Sequence, residues 1–383
     1  MGHIREKNNA YSKDCPGYED IPTFIKCRRR IIAIGDVHGD LDIAVRSFKI
    51  ANLIDNNNNW IAEPPDTVVV QVGDQLDNYR PNIFSVYDDD HQDIGSEKNH
   101  MNGEDVQVMD FFDEMHRKAS KQGGGVYSLL GNHEILNVIG RYEYVSRRDM
   151  NVERYNNVDG DEIIGPFSRN SLFSMGTDTR SPGPLCEKIA CSRPAVLVIG
   201  DIIFVHAGIL PNVGRELGEL DISDKGKHGK LKKLNRIMRK WILGKSHEMK
   251  NIPQDFMNNL AINQVSSPFW TRAFGIIPAD VPMSSTECSR ELKKTLKLFN
   301  LGKMVIGHTP QKFGEENDKN EPSINGTCYE VDNDKVTKYN TLYRIDGGFS
   351  MAFDQFRPNQ KKIIVEVLQI MDCKHFTFIR EKL

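Results

Sequence analysis

Short apolar segments of this chain repeatedly end in a glycine and a metal-binding side chain, and this repetition limits the folds that the sequence can adopt. Each segment is continuous and rich in β-branched residues, as is typical of buried strands. The endings are GDVHG from Gly35, GDQLD from Gly73, GNHE from Gly131, VHAG from Val205 and GHT from Gly307. Polar groups at the carboxyl ends of such strands line the crevice where α/β proteins bind ligands. We therefore predict that all five endings contribute to one site.

The order of the segments indicates an α/β architecture. In the first half of the chain, predicted strands at 31–36, 66–74 and 124–132 alternate with segments of helical spacing at 40–53 and 106–120. The second half adds a strand hairpin at 195–208 and a strand-rich, antiparallel end. No break in composition separates independent domains, so we predict one domain with a two-sheet core.

The predicted domain runs from residue 26 to residue 383, with insertions near 80–105 and 210–290. Residues 1–25 lack periodicity, and we expect an N-terminal arm that need not be ordered. The segment 80–105 is acidic and poor in apolar residues, which is typical of a surface insertion.

Charge and cysteine usage exclude several classes of protein. A net charge of -3 gives no basic footprint, so we expect no nucleic-acid partner. The charged N-terminus is unlike a signal peptide, and no apolar run is long enough to span a membrane. Seven scattered cysteines, with no CxxC pair and an odd count, favour a reducing compartment. We therefore expect a cytoplasmic protein without a membrane partner.

The strand endings combine imidazole, carboxylate and amide groups and contain no thiolate, a ligand set that suits Mn, Fe or Zn. Two such ions about 3.5 to 4 Å apart can bridge a hydroxide and polarise a phosphoryl oxygen for in-line displacement. A bridging ligand needs two oxygens, and Asp74 lies at the centre of the series. Each motif alone also fits an ordinary turn or core position, but five together favour a dinuclear metal site.

As a set, these motifs resemble the calcineurin-like metallophosphoesterase superfamily, with a spacing similar to that of the phosphoprotein phosphatases. GNHEILNVIGRYEYV and SPFWTR at 267–272 resemble the Shewanella-like protein phosphatases more closely. The resemblance extends over about residues 31–350. It implies a four-layer αββα fold, in which helices flank a two-sheet β-sandwich. Asparagine runs such as 56–59 are consistent with an AT-rich genome, such as that of a large DNA virus or a protist.

The resemblance also implies a role for each motif residue. The first metal ion is expected to bind Asp36, His38 and Asp74, and the second ion Asp74, Asn132, His206 and His308. His133 is expected to be the general acid that protonates the leaving oxygen, with Asp77 orienting its imidazole.

The phosphate-binding arginine departs from the family pattern. Phosphoprotein phosphatases have an arginine directly after the second aspartate of the GDQLD-type motif, where this chain has Asn78 and reaches an arginine only at Arg80. Arg80 can either reach the site or point into solvent. By resemblance, Arg272 is the better candidate, and Arg147 is a further one.

The function that the resemblance implies is phosphomonoester hydrolysis on phospho-Ser/Thr or phospho-Tyr proteins, by direct attack of a metal-bridged hydroxide. No cysteine lies in a Cys-x5-Arg setting, which argues against a cysteinyl phosphoenzyme. A hydrolase of nucleotides or dinucleoside polyphosphates on the same metal site is the alternative, with a small phosphorylated substrate. An inactive binding scaffold is a third reading, but it requires a lost ligand, and none is missing.

Overall fold

The computed structural model describes residues 9–81, 104–146, 149, 156–158, 162–169, 183–220, 229–311, 322–332, 337–356 and 363–382. The helices are α1 (Asn9–Asp14), α2 (Leu41–Ile50), α3 (Asp105–Ser120), α4 (Asn132–Val138), α5 (Pro184–Ser192), α6 (Pro211–Glu219), α7 (Gly229–Ile242), α8 (Gln254–Ile262), α9 (Thr286–Arg290) and α10 (Leu292–Phe299), with 3-10 turns at Ser246–Glu248 and Met351–Phe356. The strands are β1 (Phe24–Ile25), β2 (Arg30–Ile34), β3 (Val68–Gln71), β4 (Gly125–Ser128), β5 (Asn156–Val158), β6 (Glu162–Ile164), β7 (Val196–Ile199), β8 (Ile202–Val205), β9 (Lys303–Ile306), β10 (Asn325–Asp332), β11 (Thr337–Arg344), β12 (Glu366–Met371) and β13 (His375–Arg380).

Two mixed sheets form the core of the molecule. One has the strand order β1-β7-β8-β9-β11-β10, and the other has the order β13-β12-β2-β3-β4. Strands β2, β3 and β4 are parallel, and so are β8, β9 and β11. Parallel neighbours end at the same edge of a sheet, so each sheet collects the loops that follow its strands on one side. The prediction of an α/β fold with a two-sheet core is confirmed.

Alternating side chains on β7 show how the layers stack. Leu197 of the six-stranded sheet belongs to one hydrophobic core, together with Val70 of β3 in the other sheet. Its neighbour Val198 belongs to a second core, together with Leu234 of α7. Successive strand residues point to opposite faces, so the six-stranded sheet packs against the other sheet on one face and against helices on the other. This is the four-layer αββα arrangement that the resemblance implied.

Helix α1 of the N-terminal arm packs against the rest of the protein, a point that the sequence left open. Tyr11 is 3% exposed, and its hydroxyl donates to the carbonyl oxygen of Cys191. The Arg239 guanidinium lies 4.7 Å from the Tyr11 ring, and the Lys240 ammonium lies 2.5 Å from an Asp14 carboxylate oxygen. The sequence of the arm lacks periodicity because its contacts come from single residues on the distant α7 and α5.

The second half follows the predicted order, with one refinement. Strands β7 and β8 form the antiparallel hairpin that was expected, and the pairs β10–β11 and β12–β13 are also antiparallel. Strand β11, however, pairs in parallel with β9, so the end of the chain is mixed. Of the predicted acidic insertion, residues 82–103 lie outside the described residues.

Six of the seven cysteines are paired, which the sequence analysis did not anticipate when it favoured a reducing compartment. Three disulfides join Cys15 to Cys191, Cys27 to Cys373, and Cys288 to Cys328, and Cys186 is free and buried. The paired cysteines are 176, 346 and 40 residues apart, so no short cysteine motif in the sequence indicates the pairing. The pairing removes one of the grounds for predicting a cytoplasmic location. Among the described residues, no helix combines the length and apolar character that crossing a bilayer requires.

We expect reduction of the disulfides to lower the melting temperature by roughly 5–15 °C, because each one restricts the unfolded chain over a long loop. In the denatured but unreduced protein, iodoacetamide should modify one cysteine, Cys186, and after reduction all seven. Mass spectrometry of the alkylated peptides makes the measurement. Seven modified cysteines without a reductant would show that the pairs do not form.

Candidate active site

The candidate site lies where strand ends of the two sheets meet. The predicted ligands follow the strands within a few residues: Asp36 after β2, Asp74 after β3, Asn132 after β4, His206 after β8 and His308 after β9. All five are at most 7% exposed. The predicted convergence of these strand ends is what the structure shows.

Asp74 is the centre of the cluster. Its Oδ2 atom lies 3.3 Å from His206 Nε2, 3.8 Å from His38 Nε2 and 3.9 Å from His133 Nε2. Its Oδ1 atom accepts a hydrogen bond of 2.9 Å from the His133 backbone N–H. One carboxylate therefore faces imidazoles from both sheets, as a bridging ligand must.

Asn132, His206 and His308 form the second half of the cluster. The Asn132 Oδ1 atom lies 3.0 Å from His206 Nε2 and 2.8 Å from His308 Nδ1. The other ring nitrogen of each histidine faces a backbone carbonyl, that of Val72 at 2.9 Å and that of Trp270 at 3.0 Å. These carbonyls fix the tautomers, so the nitrogens that face Asn132 are free to act as metal ligands.

Asp36 lies beside a carboxylate that the sequence analysis missed. Its Oδ2 atom accepts from the His308 backbone N–H at 2.9 Å, while its Oδ1 atom is buried and has no hydrogen-bond partner. Burial, with Asp346 and Asp74 nearby, raises the pKa of Asp36 well above its usual range, and burial raises that of Asp346 to about 6. Asp346 follows β11 in the segment TLYRIDGG, which is a sixth apolar strand that ends in aspartate and glycine.

The electrostatics of the cluster fit bound cations. Burial raises the pKa of Asp74, but His206, His133 and His38 outweigh burial and hold that pKa well below its usual range. Burial and the neighbouring Arg80 lower the pKa of His38, which keeps its imidazole neutral. Buried carboxylates beside imidazoles, with an Asp36 oxygen that has no hydrogen-bond partner, are a donor set that fits divalent ions.

Glycines allow the ligand loops to approach one another closely. A Cβ atom on Gly131 would lie 2.1 Å from Asp74 Oδ1, and one on Gly307 would lie 2.1 Å from Asp36 Oδ1. His38, Asp74 and His308 themselves have positive φ angles of 43°, 55° and 65°. Such backbone conformations are costly for residues other than glycine and tend to occur at functional sites.

Glu134 holds the loops after β3 and β4 together. Its carboxylate accepts hydrogen bonds from the backbone N–H groups of Asp74 at 3.0 Å, Gln75 at 2.7 Å and Gly131 at 2.7 Å. The side chain is 1% exposed and makes no direct approach to the predicted ligand atoms. It therefore supports the ligand loops, which explains the glutamate in GNHE.

His133 and Asp77 form a buried dyad beside the cluster. The His133 Nδ1 atom lies 2.7 Å from Asp77 Oδ2, so its Nε2 atom points toward Asp74. The other Asp77 oxygen accepts from the Asn137 amide at 2.7 Å, and the Asp77 N–H donates to Asp105 at 3.0 Å. These contacts orient the imidazole as the sequence analysis expected of a proton donor.

The arginine candidates differ in position. Arg80 is partly buried, and its Nη2 atom lies 2.9 Å and 3.0 Å from the two ring nitrogens of His38. Arg272 is exposed, yet close enough to His308 to lower the pKa of that histidine, after burial and His206. Arg147 lies outside the described residues.

Comparisons with known proteins agree with the motifs. The family model for calcineurin-like phosphoesterases matches residues 29–312. The uncharacterized protein R398 of Acanthamoeba polyphaga mimivirus is 44% identical over 72% of this chain and 99% of its own length. Shewanella-like protein phosphatase 2 of Arabidopsis thaliana is 26% identical over 87% of this chain and 74% of its own.

A solved structure shares the fold. It is described as a cold-active protein tyrosine phosphatase, and it superposes with a TM-score of 0.58 over 94% of this chain and 81% of its own, at 19% identity. These matches confirm the family resemblance that the motifs predicted.

Mn²⁺ should raise the melting temperature of metal-free protein near neutral pH, and the rise should shrink as the pH falls through about 6. A carboxyl group with a raised pKa keeps its proton at higher pH, so below that pKa the ion competes with protons on Asp36 and Asp346. Thermal unfolding at several pH values tests this. Asp74→Asn should abolish most of the rise, and an equal rise at pH 5 and pH 7 would refute the assignment.

Proposed function

The chain belongs to the calcineurin-like phosphoesterase family, and we propose that it acts as a metal-dependent phosphatase on phosphoproteins. The observation that carries the proposal is the geometry around Asp74. Asp77 orients His133, whose Nε2 atom lies 3.9 Å from an Asp74 carboxylate oxygen. Asp74 also faces histidines that follow strands of both sheets. A proton donor therefore lies beside a cation site, as phosphomonoester hydrolysis requires.

The metal ligands are assigned in two sets. Asp36, His38 and Asp74 would hold one ion, and Asp74, Asn132, His206 and His308 would hold the other. When bound, two ions of Mn, Fe or Zn supply an activated water and polarise the phosphoryl oxygens. The ligand chemistry, nitrogen and oxygen without thiolate, supports these three metals.

His133 moves the proton in this proposal. Asp77 accepts the Nδ1–H, which leaves the Nε2 atom to give its proton to the oxygen of the departing alcohol or phenol. Asn137 and Asp105 hold Asp77, so the dyad does not need to reorganise during the reaction. Burial of the dyad limits the access of bulk water to this proton.

The phosphate group needs positive charge from the chain as well. Arg272 is exposed beside His308, at the rim of the second ligand set, where a guanidinium can bind phosphoryl oxygens. Arg147 stays a prediction, because it lies outside the described residues.

The substrate class rests on several supports. The name of the Arabidopsis relative, a Shewanella-like protein phosphatase, supports phospho-Ser/Thr or phospho-Tyr in a protein. The net charge of -3 gives no support to a nucleic-acid substrate. A hydrolase of nucleotides or dinucleoside polyphosphates is the alternative on the same ligands, and a substrate panel separates the two. The complete set of predicted ligands argues against an inactive scaffold.

Hydrolysis of p-nitrophenyl phosphate should depend on added metal, and Asp74→Asn should reduce kcat/KM by roughly 1,000-fold or more, because it removes the shared anionic ligand. The measurement is steady-state kinetics after chelation and reloading with Mn²⁺, Fe²⁺ or Zn²⁺. Asp201→Asn, on the exposed hairpin turn between β7 and β8, is the matched control and should retain activity. An inert, metal-loaded wild type would contradict the proposed function.

His133→Ala should reduce kcat by roughly 100-fold on a phosphoserine peptide, and by less on p-nitrophenyl phosphate. The reason is that p-nitrophenolate leaves without a proton, whereas an alkoxide does not. Asp77→Asn should show the same dependence on the leaving group. Equal losses on both substrates would assign His133 a role other than proton donation. In the same assay, faster turnover of diadenosine tetraphosphate than of any phosphopeptide would favour the alternative substrate class.

A further inference from the structure

The position directly after Asp77 holds a buried, hydrogen-bonded residue that carries no charge. Asn78 occupies it and is 1% exposed. Its amide donates to the His38 carbonyl oxygen at 2.8 Å and reaches the Ser350 hydroxyl at 3.4 Å. Its Cβ atom is so close to Gly39 that a Cβ added to that glycine would lie 3.1 Å away. An arginine at this buried position would have to give up the contact with the His38 backbone.

Arg80 reaches the site by a different path. Its Nη1 atom donates to the carbonyl oxygens of Asp77 at 3.0 Å and Tyr79 at 2.8 Å. The Tyr79 N–H donates to the carbonyl oxygen of Tyr144 at 3.0 Å, which ties this loop to the segment after α4. Asp77 has a positive φ of 73°, so the chain turns back on itself. The turn returns the Arg80 guanidinium to the ligand cluster, although Arg80 lies two residues later in the sequence.

Two aromatic rings flank the guanidinium of Arg80. The guanidinium carbon lies 4.7 Å from the Phe353 ring centroid and 5.5 Å from that of Tyr144. The same rings contact the site histidines: Phe353 lies 5.2 Å from His38, and Tyr144 lies 5.0 Å from His133. We call Tyr144 and Phe353 the aromatic clamp. Rings at these distances attract a guanidinium and restrict its rotation.

The other terminal nitrogen of Arg80, Nη2, lies against the predicted metal ligand His38. Nη2 lies at nearly equal distances, 2.9 and 3.0 Å, from both ring nitrogens of His38. A group in the ring plane cannot be that close to both nitrogens without overlapping the carbon between them, so Nη2 lies over the ring face. The lone pair of His38 Nε2, which lies in the ring plane, stays available to an ion. Arg80 therefore contacts the ligand cluster without occupying the coordination direction of His38.

From these contacts we infer that Arg80 binds the substrate phosphate in place of the arginine that this chain lacks after Asp77, and that the aromatic clamp positions it. The inference rests on the proposed phosphatase function and adds a binding residue and two positioning residues to it. The backbone carbonyls occupy Nη1 and the rings cover the guanidinium faces, so Arg80 presents the Nη2 edge to a phosphoryl oxygen. Such a charge-assisted contact strengthens binding of both the substrate and the phosphate product.

The test is the affinity of the metal-loaded protein for inorganic phosphate, measured by calorimetry with the metal content determined for every variant. Arg80→Met should weaken phosphate binding by about 10- to 100-fold, as expected when a hydrogen bond to a charged group is lost. KM for p-nitrophenyl phosphate should rise in parallel. Arg141→Met is the matched control, because Arg141 is an exposed arginine near the same loop that pairs with Glu143. Unchanged phosphate affinity in Arg80→Met at full metal content would overturn the inference.

A double-mutant cycle tests the clamp. Tyr144→Leu and Phe353→Leu should each weaken phosphate binding by about 3- to 10-fold in the wild-type background. In the Arg80→Met background, neither substitution should have a further effect. Equal losses in both backgrounds would show that the rings act on phosphate or on folding and do not position Arg80. Tyr144→Phe keeps the ring and should retain wild-type affinity, which distinguishes the clamp from a hydroxyl contact and from misfolding.

An exchange of the residues at positions 78 and 80 tests whether an arginine directly after Asp77 can bind phosphate in this chain. In Asn78→Arg with Arg80→Asn, the arginine returns to the place that the family pattern gives it. We expect this variant to bind phosphate as poorly as Arg80→Met, because an arginine at position 78 would lose the contact of Asn78 with the His38 backbone and would lie outside the aromatic clamp. Wild-type phosphate affinity in the swap would overturn that part of the inference. An inactive wild type that nevertheless loses phosphate affinity in Arg80→Met would count against the proposed function and leave the binding role of Arg80 standing.

Discussion

The close approach of three buried carboxylates, Asp36, Asp74 and Asp346, is the constraint on which the rest of the site depends. Burial and mutual repulsion raise the pKa of two of them, and only the surrounding histidines keep Asp74 ionised. Bound cations would relieve this repulsion. The glycines that let the loops approach, and the carbonyls that fix the histidine tautomers, serve the same cluster.

The loop from Asp74 to Arg80 carries three residues of the proposed reaction. Asp74 faces the histidines of the proposed metal site, Asp77 contacts the proposed proton donor His133, and the Arg80 guanidinium lies against His38. Glu134 holds the beginning of the loop, and the aromatic clamp holds its end. Because the ligand, the orienting carboxylate and the guanidinium lie on one short segment, the groups that hold its two ends also set their mutual distances.

Sequence reasoning was least informative where single residues meet across long distances. It left open whether the arm is ordered, and Tyr11 and Asp14 pack against α7 and the end of α5 through isolated contacts. It did not anticipate the cysteine pairs, whose members lie 40 to 346 residues apart. The sequence analysis missed Asp346, although this residue follows a strand as the predicted ligands do. The reason is that the segment TLYRIDGG was interpreted only as a strand.

The sequence by itself determined the α/β class, the two-sheet core and the polar residues at strand ends, because strand periodicity and terminal glycines are local signals. It left open whether Arg80 turns inward, since that depends on the backbone turn at Asp77 and on rings contributed by Tyr144 and Phe353. Only the tertiary structure decided this point. The reason is physical: a local pattern specifies which face of an element is buried, whereas the direction of a flexible guanidinium is set by groups that arrive from elsewhere in the chain.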